Sequence, residues 1–144
     1  MKKFIIVILL LLIVPVFLSG QTTDPLVTRC AMNCGPNTTY LKDFRVQLGK
    51  GVAQSELRQK QVFPLSKNMK YRFTLCNSEN SKGELIMKIK DNTGKLIFST
   101  YDPKSGKTVS SVDFICNKTG TYQLYFDFRD FQQGLGVGIV SLVK

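Results

Sequence analysis

Beyond residue 40 the chain alternates apolar and polar positions with a period of two. Phe44, Val46 and Leu48 face one way while Arg45 and Gln47 face the other. Met69, Tyr71, Phe73 and Leu75 alternate with Lys70, Arg72 and Thr74, and Leu85, Met87 and Ile89 oppose Ile86, Lys88 and Lys90. Leu96, Phe98 and Thr100 stand against Ile97, Ser99 and Tyr101, and Val112, Phe114 and Cys116 against Asp113 and Ile115. The cleanest run sets Tyr122, Leu124, Phe126 and Phe128 against Gln123, Tyr125 and Asp127. Such runs are half-buried strands of antiparallel sheets with one wet face. Turn chemistry separates them. Asp91–Gly94 and Asn117–Gly120 both read as hairpin loops, and longer polar loops lie elsewhere. Only Val52–Gln61 offers room for a turn or two of helix, and its apolar spacing is poor. The pattern predicts an all-β domain: a single antiparallel β-sandwich of about eight strands, with a jelly roll among its topologies.

The first residues follow a different rule. Lys2 and Lys3 precede an apolar run from Phe4 to Leu18, and small or polar residues follow. This is the layout of a secretory signal peptide of bacterial style, expected to span residues 1–20 with cleavage after Gly20. The apolar run is short of the about 20 residues a membrane span needs, and Pro15 interrupts it. Leu18-Ser19-Gly20 resembles the start of a lipoprotein cleavage box, but Gln21 follows it and supplies no thiol for a lipid. The expected layout continues with a cysteine-containing segment, 21–40, and the sandwich, 41–144. No membrane span is expected in the mature chain, which is read as periplasmic, cell-surface or secreted. The formal charge is +10, of which Lys2 and Lys3 contribute two. A basic exterior concentrates polyanions around it.

Missing residue types exclude whole chemistries. There is no histidine, so Ser-His-Asp and Cys-His catalysis and His-ligated zinc are ruled out. There is no tryptophan, so tyrosine and phenylalanine are left to stack against sugars or bases. No cofactor and no metal is expected. Asp91, Asn92 and Asp102 lie in loops without the oxygen density of a dedicated calcium site. Ser105–Thr108 ends like a phosphate-binding loop but has Tyr101 where the leading glycine belongs and a strand after it. Gly134–Gly138 lacks the dinucleotide spacing. Its alternation puts Leu135, Val137 and Ile139 inward and three glycines outward, a smooth strip suited to close approach of another segment.

Four cysteines, Cys30, Cys34, Cys76 and Cys116, remain. A four-thiolate zinc site usually draws on close pairs, and only one loose pair exists. In an exported chain an even number reads as disulfides, with three possible pairings. Cys76 and Cys116 each end a strand. If those strands run antiparallel, the two residues stand about 20 Å apart, beyond disulfide reach. A Cys30–Cys34 tight loop is open if the chain turns there; the preferred arrangement clamps the N-terminal segment to a strand end through Cys30 or Cys34.

Lys70 and Arg72 face outward on one strand and Lys88 and Lys90 on another. If the two strands pair, the four cations form one ridge, with Tyr101 and Tyr125 as stacking surfaces. Such a face suits an anionic glycan, a lipid head group or an envelope protein; nucleic acid is not the expected partner. The pattern places no acid pair; Asp127 and Asp130 could flank a cleft, as glycoside hydrolysis would require, but nothing marks a substrate groove.

Residues 64–144 resemble the bacterial pre-peptidase C-terminal type of domain. The likeness lies in the aromatic-alternating strand at Met69–Leu75, the hairpin ending at Leu96–Ser99, and the Thr119-Gly120-Thr121-Tyr122 start of the last long aromatic strand. It implies a non-catalytic jelly-roll module that helps with surface or polymer contact. The expected function is therefore an exported, non-catalytic binding module for an envelope or extracellular polymer or protein. An accessory subunit of an exported assembly is the alternative, and a carboxylate-dependent hydrolase the remote one.

Overall fold

A computed structural model describes residues 24–144 of the chain. The signal-peptide reading, and Gln21 to Thr23 after it, lie outside the described residues. The first element is a helix, α1 (Pro25–Met32). Ten strands follow: β1 (Thr38–Leu48), β2 (Gln59–Leu65), β3 (Lys70–Asn77), β4 (Leu85–Lys90), β5 (Leu96–Ser99), β6 (Tyr101–Asp102), β7 (Lys107–Thr108), β8 (Ser111–Ile115), β9 (Gly120–Phe128) and β10 (Gly134–Val143).

Two four-stranded sheets form the body. One has the order β1-β10-β3-β8 and the other β2-β9-β4-β5, while β6 and β7 make a small separate hairpin. The pairings nest: β1 with β10, β2 with β9, β3 with β8 and β4 with β5, all antiparallel. A long hairpin folded over on itself in this way is a jelly roll, an all-β sandwich. The Asp91–Gly94 turn is the hairpin expected, with Gly94 at φ 86° and the Asp91 carboxylate accepting from the Thr93 and Lys95 amides. Asn117–Gly120 is not. It carries the chain from β8 in one sheet to β9 in the other. Ser105–Thr108 closes the β6–β7 hairpin, so no helix begins there.

The inward faces of β1, β3, β4 and β9 are those the alternation predicts. Phe44, Val46, Phe73, Leu75, Met87, Ile89, Leu124, Phe126 and Phe128 are buried between the sheets. Rings interlock across the gap: Phe73 of one sheet meets Phe98 of the other at 5.6 Å, Phe98 meets Phe114 at 6.0 Å, and Phe114 meets Tyr122 at 6.1 Å. Each such pair adds about 0.5–1.5 kcal/mol beyond burial.

β10 reverses the expectation. Its glycines face the core, while Leu135, Val137 and Ile139 face outward. Val137 and Ile139 are buried there because α1 lies over them, forming a second apolar cluster with Leu26, Cys30 and Cys34. The glycines are needed because β10 runs in mid-sheet opposite bulky neighbours. A Cβ on Gly138 would stand 2.7 Å from Phe126 Cε1. Gly138→Ala is therefore expected to lower the unfolding free energy by about 1–3 kcal/mol in urea melts. Gly120→Ala, with nothing within 4 Å of the added atom, should stay within about 0.5 kcal/mol.

The helix is also where the pattern misleads. Val52–Arg58 forms no helix; it crosses the outer face of the β2-β9-β4-β5 sheet, and Gln59 then opens β2. α1 instead sits in the N-terminal segment. Asp24 caps it by accepting from the Leu26 amide at 2.9 Å, and Pro25 occupies the first turn. Leu26 and Cys30, one turn apart, form its buried stripe.

One disulfide joins α1 to β3: Cys30–Cys76, with Cα atoms 5.7 Å apart. The N-terminal segment is thus clamped to a strand end. Cys34 and Cys116, also expected as disulfide partners, are buried thiols. The reason is topological. Cys34 lies under α1 on the outside of the β1-β10-β3-β8 sheet, Cys116 lies inside the sandwich, and the sheet separates them. β3 and β8 are antiparallel, with Lys70 opposite Ile115, so Cys76 and Cys116 do stand at opposite ends.

Candidate functional site

The six residues of the expected anionic-ligand face do not come together. β3 and β4 lie in different sheets, so the four cations cannot form one ridge. Lys70 and Arg72 are on the outer face of the α1-covered sheet, and both are spent on one acid. Arg72 Nε is 2.6 Å and Lys70 Nζ 3.6 Å from the Asp113 carboxylate on β8. Arg72 also donates to the Cys34 carbonyl. Its guanidinium holds the Asp113 carboxyl below the usual carboxylate range.

Lys88, Lys90, Tyr101 and Tyr125 do gather, on the outer side of the β2-β9-β4-β5 sheet. Tyr125 is opposite Lys60 on one side and Lys88 on the other, and Lys88 is opposite Ser99. These residues therefore form one row across four strands. Lys60 and Lys90 also approach the face of the Tyr125 ring, at 5.8 and 5.1 Å from its centroid. Arg129 lies over Tyr101 at 5.0 Å in the same manner. Each contact of this kind gives about 0.5–1 kcal/mol at an exposed site. Lys90 is ion-paired with Glu56, which holds its ammonium above the ordinary range. Lys60 and Lys88 take part in no ion pair among the described residues.

Beside this row the crossing segment walls off a cavity of about 220 Å³. Leu57, Ile86 and Phe131 give it apolar sides, and Lys88, Tyr101 and Asp130 stand around it. Asp130 and Phe131 both hold positive φ, 57° and 55°. Left-handed backbone costs about 1–2 kcal/mol at a residue with a side chain, and such strain clusters at binding sites. The turn is held by Gly51 donating to the Phe131 carbonyl at 2.8 Å.

The whole wall hangs on Arg58. Its guanidinium bonds Asp127 through Nε and Nη2 at 2.8–3.0 Å, the Gly49 carbonyl through Nη1, and the Gln132 carbonyl through Nη2. The Arg58 amide adds a further bond to Asp127 Oδ2 at 3.0 Å. Asp127 is thus fully buried and wholly occupied, and it also accepts from the Phe128 amide. This withdraws Asp127 from the acid pair that a hydrolase would need; Asp130 is left largely exposed. Arg58 carried no sequence signal, since its partner stands 69 residues away.

No protein-family model matches the chain, and no curated protein matches it.

Proposed function

We propose that this chain is an exported, non-catalytic binding module. It contacts an anionic envelope or extracellular polymer through the outer face of the β2-β9-β4-β5 sheet. The observation that carries this reading is the row Lys60–Tyr125–Lys88–Ser99 beside a walled cavity. A sheet face that is merely solvated needs neither half-buried tyrosines flanked by cations nor a strained loop at its rim. Unpaired lysines attract phosphate or carboxylate groups, and tyrosine faces accept the apolar sides of the repeating unit. Export agrees with the Lys2-Lys3 start and apolar run, and with a disulfide of the kind that persists in oxidising compartments. The likeness of residues 64–144 to pre-peptidase C-terminal-type domains points the same way.

The test is binding of poly(glycerol phosphate), followed as salt is raised. Lys60→Glu with Lys88→Glu, which leaves the Lys90–Glu56 pair intact, is expected to weaken binding by roughly tenfold or more at low ionic strength. The difference should fade as the Debye length shrinks to about 3 Å near 1 M salt. Equal binding by both proteins at every salt concentration would remove this reading.

One observation favours the accessory-subunit alternative. β8 pairs on one side only; Ile115 at its end is 66% exposed, and Val109, two residues before the strand, is 50% exposed. Ile115→Lys should abolish co-purification with an envelope partner if that reading holds, and should leave polymer binding untouched if the first one does.

A further inference from the structure

The larger cavity lies elsewhere, at the end of the sandwich where β1 finishes and β10 begins. It measures about 430 Å³ and is lined by the polar side chains of Gln47, Ser78, Asn80, Lys82 and Gln133. Leu48 and Leu135 add the apolar part of the lining. Its walls are fixed by backbone bonds. The Ser78 amide donates to the Leu135 carbonyl at 2.9 Å and the Gly83 amide to the Gln133 carbonyl at 2.8 Å. Ser81 Oγ donates to the Gly83 carbonyl and accepts from the Leu135 amide. The amide groups of Gln47, Asn80 and Gln133 take no part in these bonds and are solvent-exposed. The cavity is therefore a stiff frame presenting free hydrogen-bonding groups. At Gly49, on its rim, an added Cβ would meet nothing within 4 Å.

The lining chemistry selects a ligand class. A primary amide offers two donors and an acceptor, which matches hydroxyl groups that both give and take hydrogen bonds. The lining holds one cation, Lys82, and no acid. An uncompensated ammonium favours a ligand carrying one carboxylate, through a charge-assisted bond. The leucines suit the C–H face of a pyranose ring, and the volume falls within the range of small-ligand sites. We infer that this cavity is a binding site for a sugar acid, with Lys82 on the carboxylate and Gln47, Asn80 and Gln133 on the hydroxyls. The site does not share its residues with the lysine–tyrosine row, and neither depends on the other.

The test is an NMR titration of the full mature chain with glucuronate, and with glucose for comparison. Glucuronate is expected to shift the side-chain amide signals of Gln47, Asn80 and Gln133 and to bind more tightly than glucose. Lys82→Ala should cost glucuronate roughly tenfold in affinity, the scale of one charged hydrogen bond, and leave glucose unchanged. Gly49→Phe, which fills the rim without removing a polar group, should abolish both. Lys60→Glu with Lys88→Glu should affect neither, so failure of the polymer-binding reading is seen separately. Absent shifts at the three amides, equal affinity for the two sugars, or indifference of glucuronate to Lys82→Ala would each overturn the assignment.

Discussion

Asp127→Ala is expected to lower the unfolding free energy by about 3–5 kcal/mol, the range for breaking a buried ion pair by removing one partner. Asp127 has no solvent exposure, and the Arg58 side chain retains 13%. Deleting the carboxylate leaves a guanidinium held against the covered outer side of the sheet with only the Gly49 and Gln132 carbonyls to satisfy it. It also strips the Arg58 and Phe128 amides of their acceptor. Arg58→Ala should cost a similar amount by orphaning the carboxylate. A double-mutant cycle should show strong coupling, because the second substitution removes a charge already left without a partner. Urea denaturation monitored by circular dichroism supplies the numbers. A loss below about 1 kcal/mol for either single variant, the value of an ordinary surface pair, would mean that the pair does not hold the wall.

The second large effect concerns the clamp on α1. Cys30→Ser with Cys76→Ser should cost about 4 kcal/mol, from the chain entropy of a loop whose ends are 46 residues apart. An eight-residue helix does not persist alone in water. Without the link it should detach and expose Val137 and Ile139, which it now covers. A melting temperature lowered by roughly 10 °C or more, in the double variant and in reductant-treated protein alike, is the expected result. A non-reduced digest should give one cross-linked peptide, Cys30 to Cys76, with Cys34 and Cys116 alkylated only after unfolding. A peptide joining Cys34 to Cys76 would contradict the arrangement.

These two anchors differ in how far they could be read from the chain. Export context and strand direction favour a disulfide between the N-terminal pair and a strand end, but do not single out Cys30. The choice between Cys30 and Cys34 depends on α1. Asp24 and Pro25 cap its start in the structure, but its apolar stripe is only Leu26 and Cys30, too short to mark a helix by periodicity. Arg58–Asp127 was not legible at all. In an alternating strand Asp127 looks like any outward polar residue, and only the fold reveals that another segment lies over it.

Alternation specifies which face a residue occupies and says nothing about neighbouring strands. That is why it marks Phe44, Phe73, Met87 and Phe126 as core although the four-cation ridge does not form. β3 and β4 follow one another in the chain yet enter opposite sheets. β10 failed for a related reason: the helix covers its outer side chains, and its inner positions must be glycine, so hydrophobicity marks the wrong face. Lys88, Lys90, Tyr101 and Tyr125 remain together because β4 and β9 do pair and Tyr101 directly follows β5 and Thr100.

The outer face of the β2-β9-β4-β5 sheet is proposed to bind an anionic polymer. Backbone amide shifts measured while labelled residues 21–144 are titrated with poly(glycerol phosphate) test it most directly. Salt-sensitive shifts are expected at Lys60, Lys88, Tyr101 and Tyr125, with Lys70, Arg72 and Asp113 silent. Shifts centred on Lys70 and Arg72, or none at low salt, would contradict it.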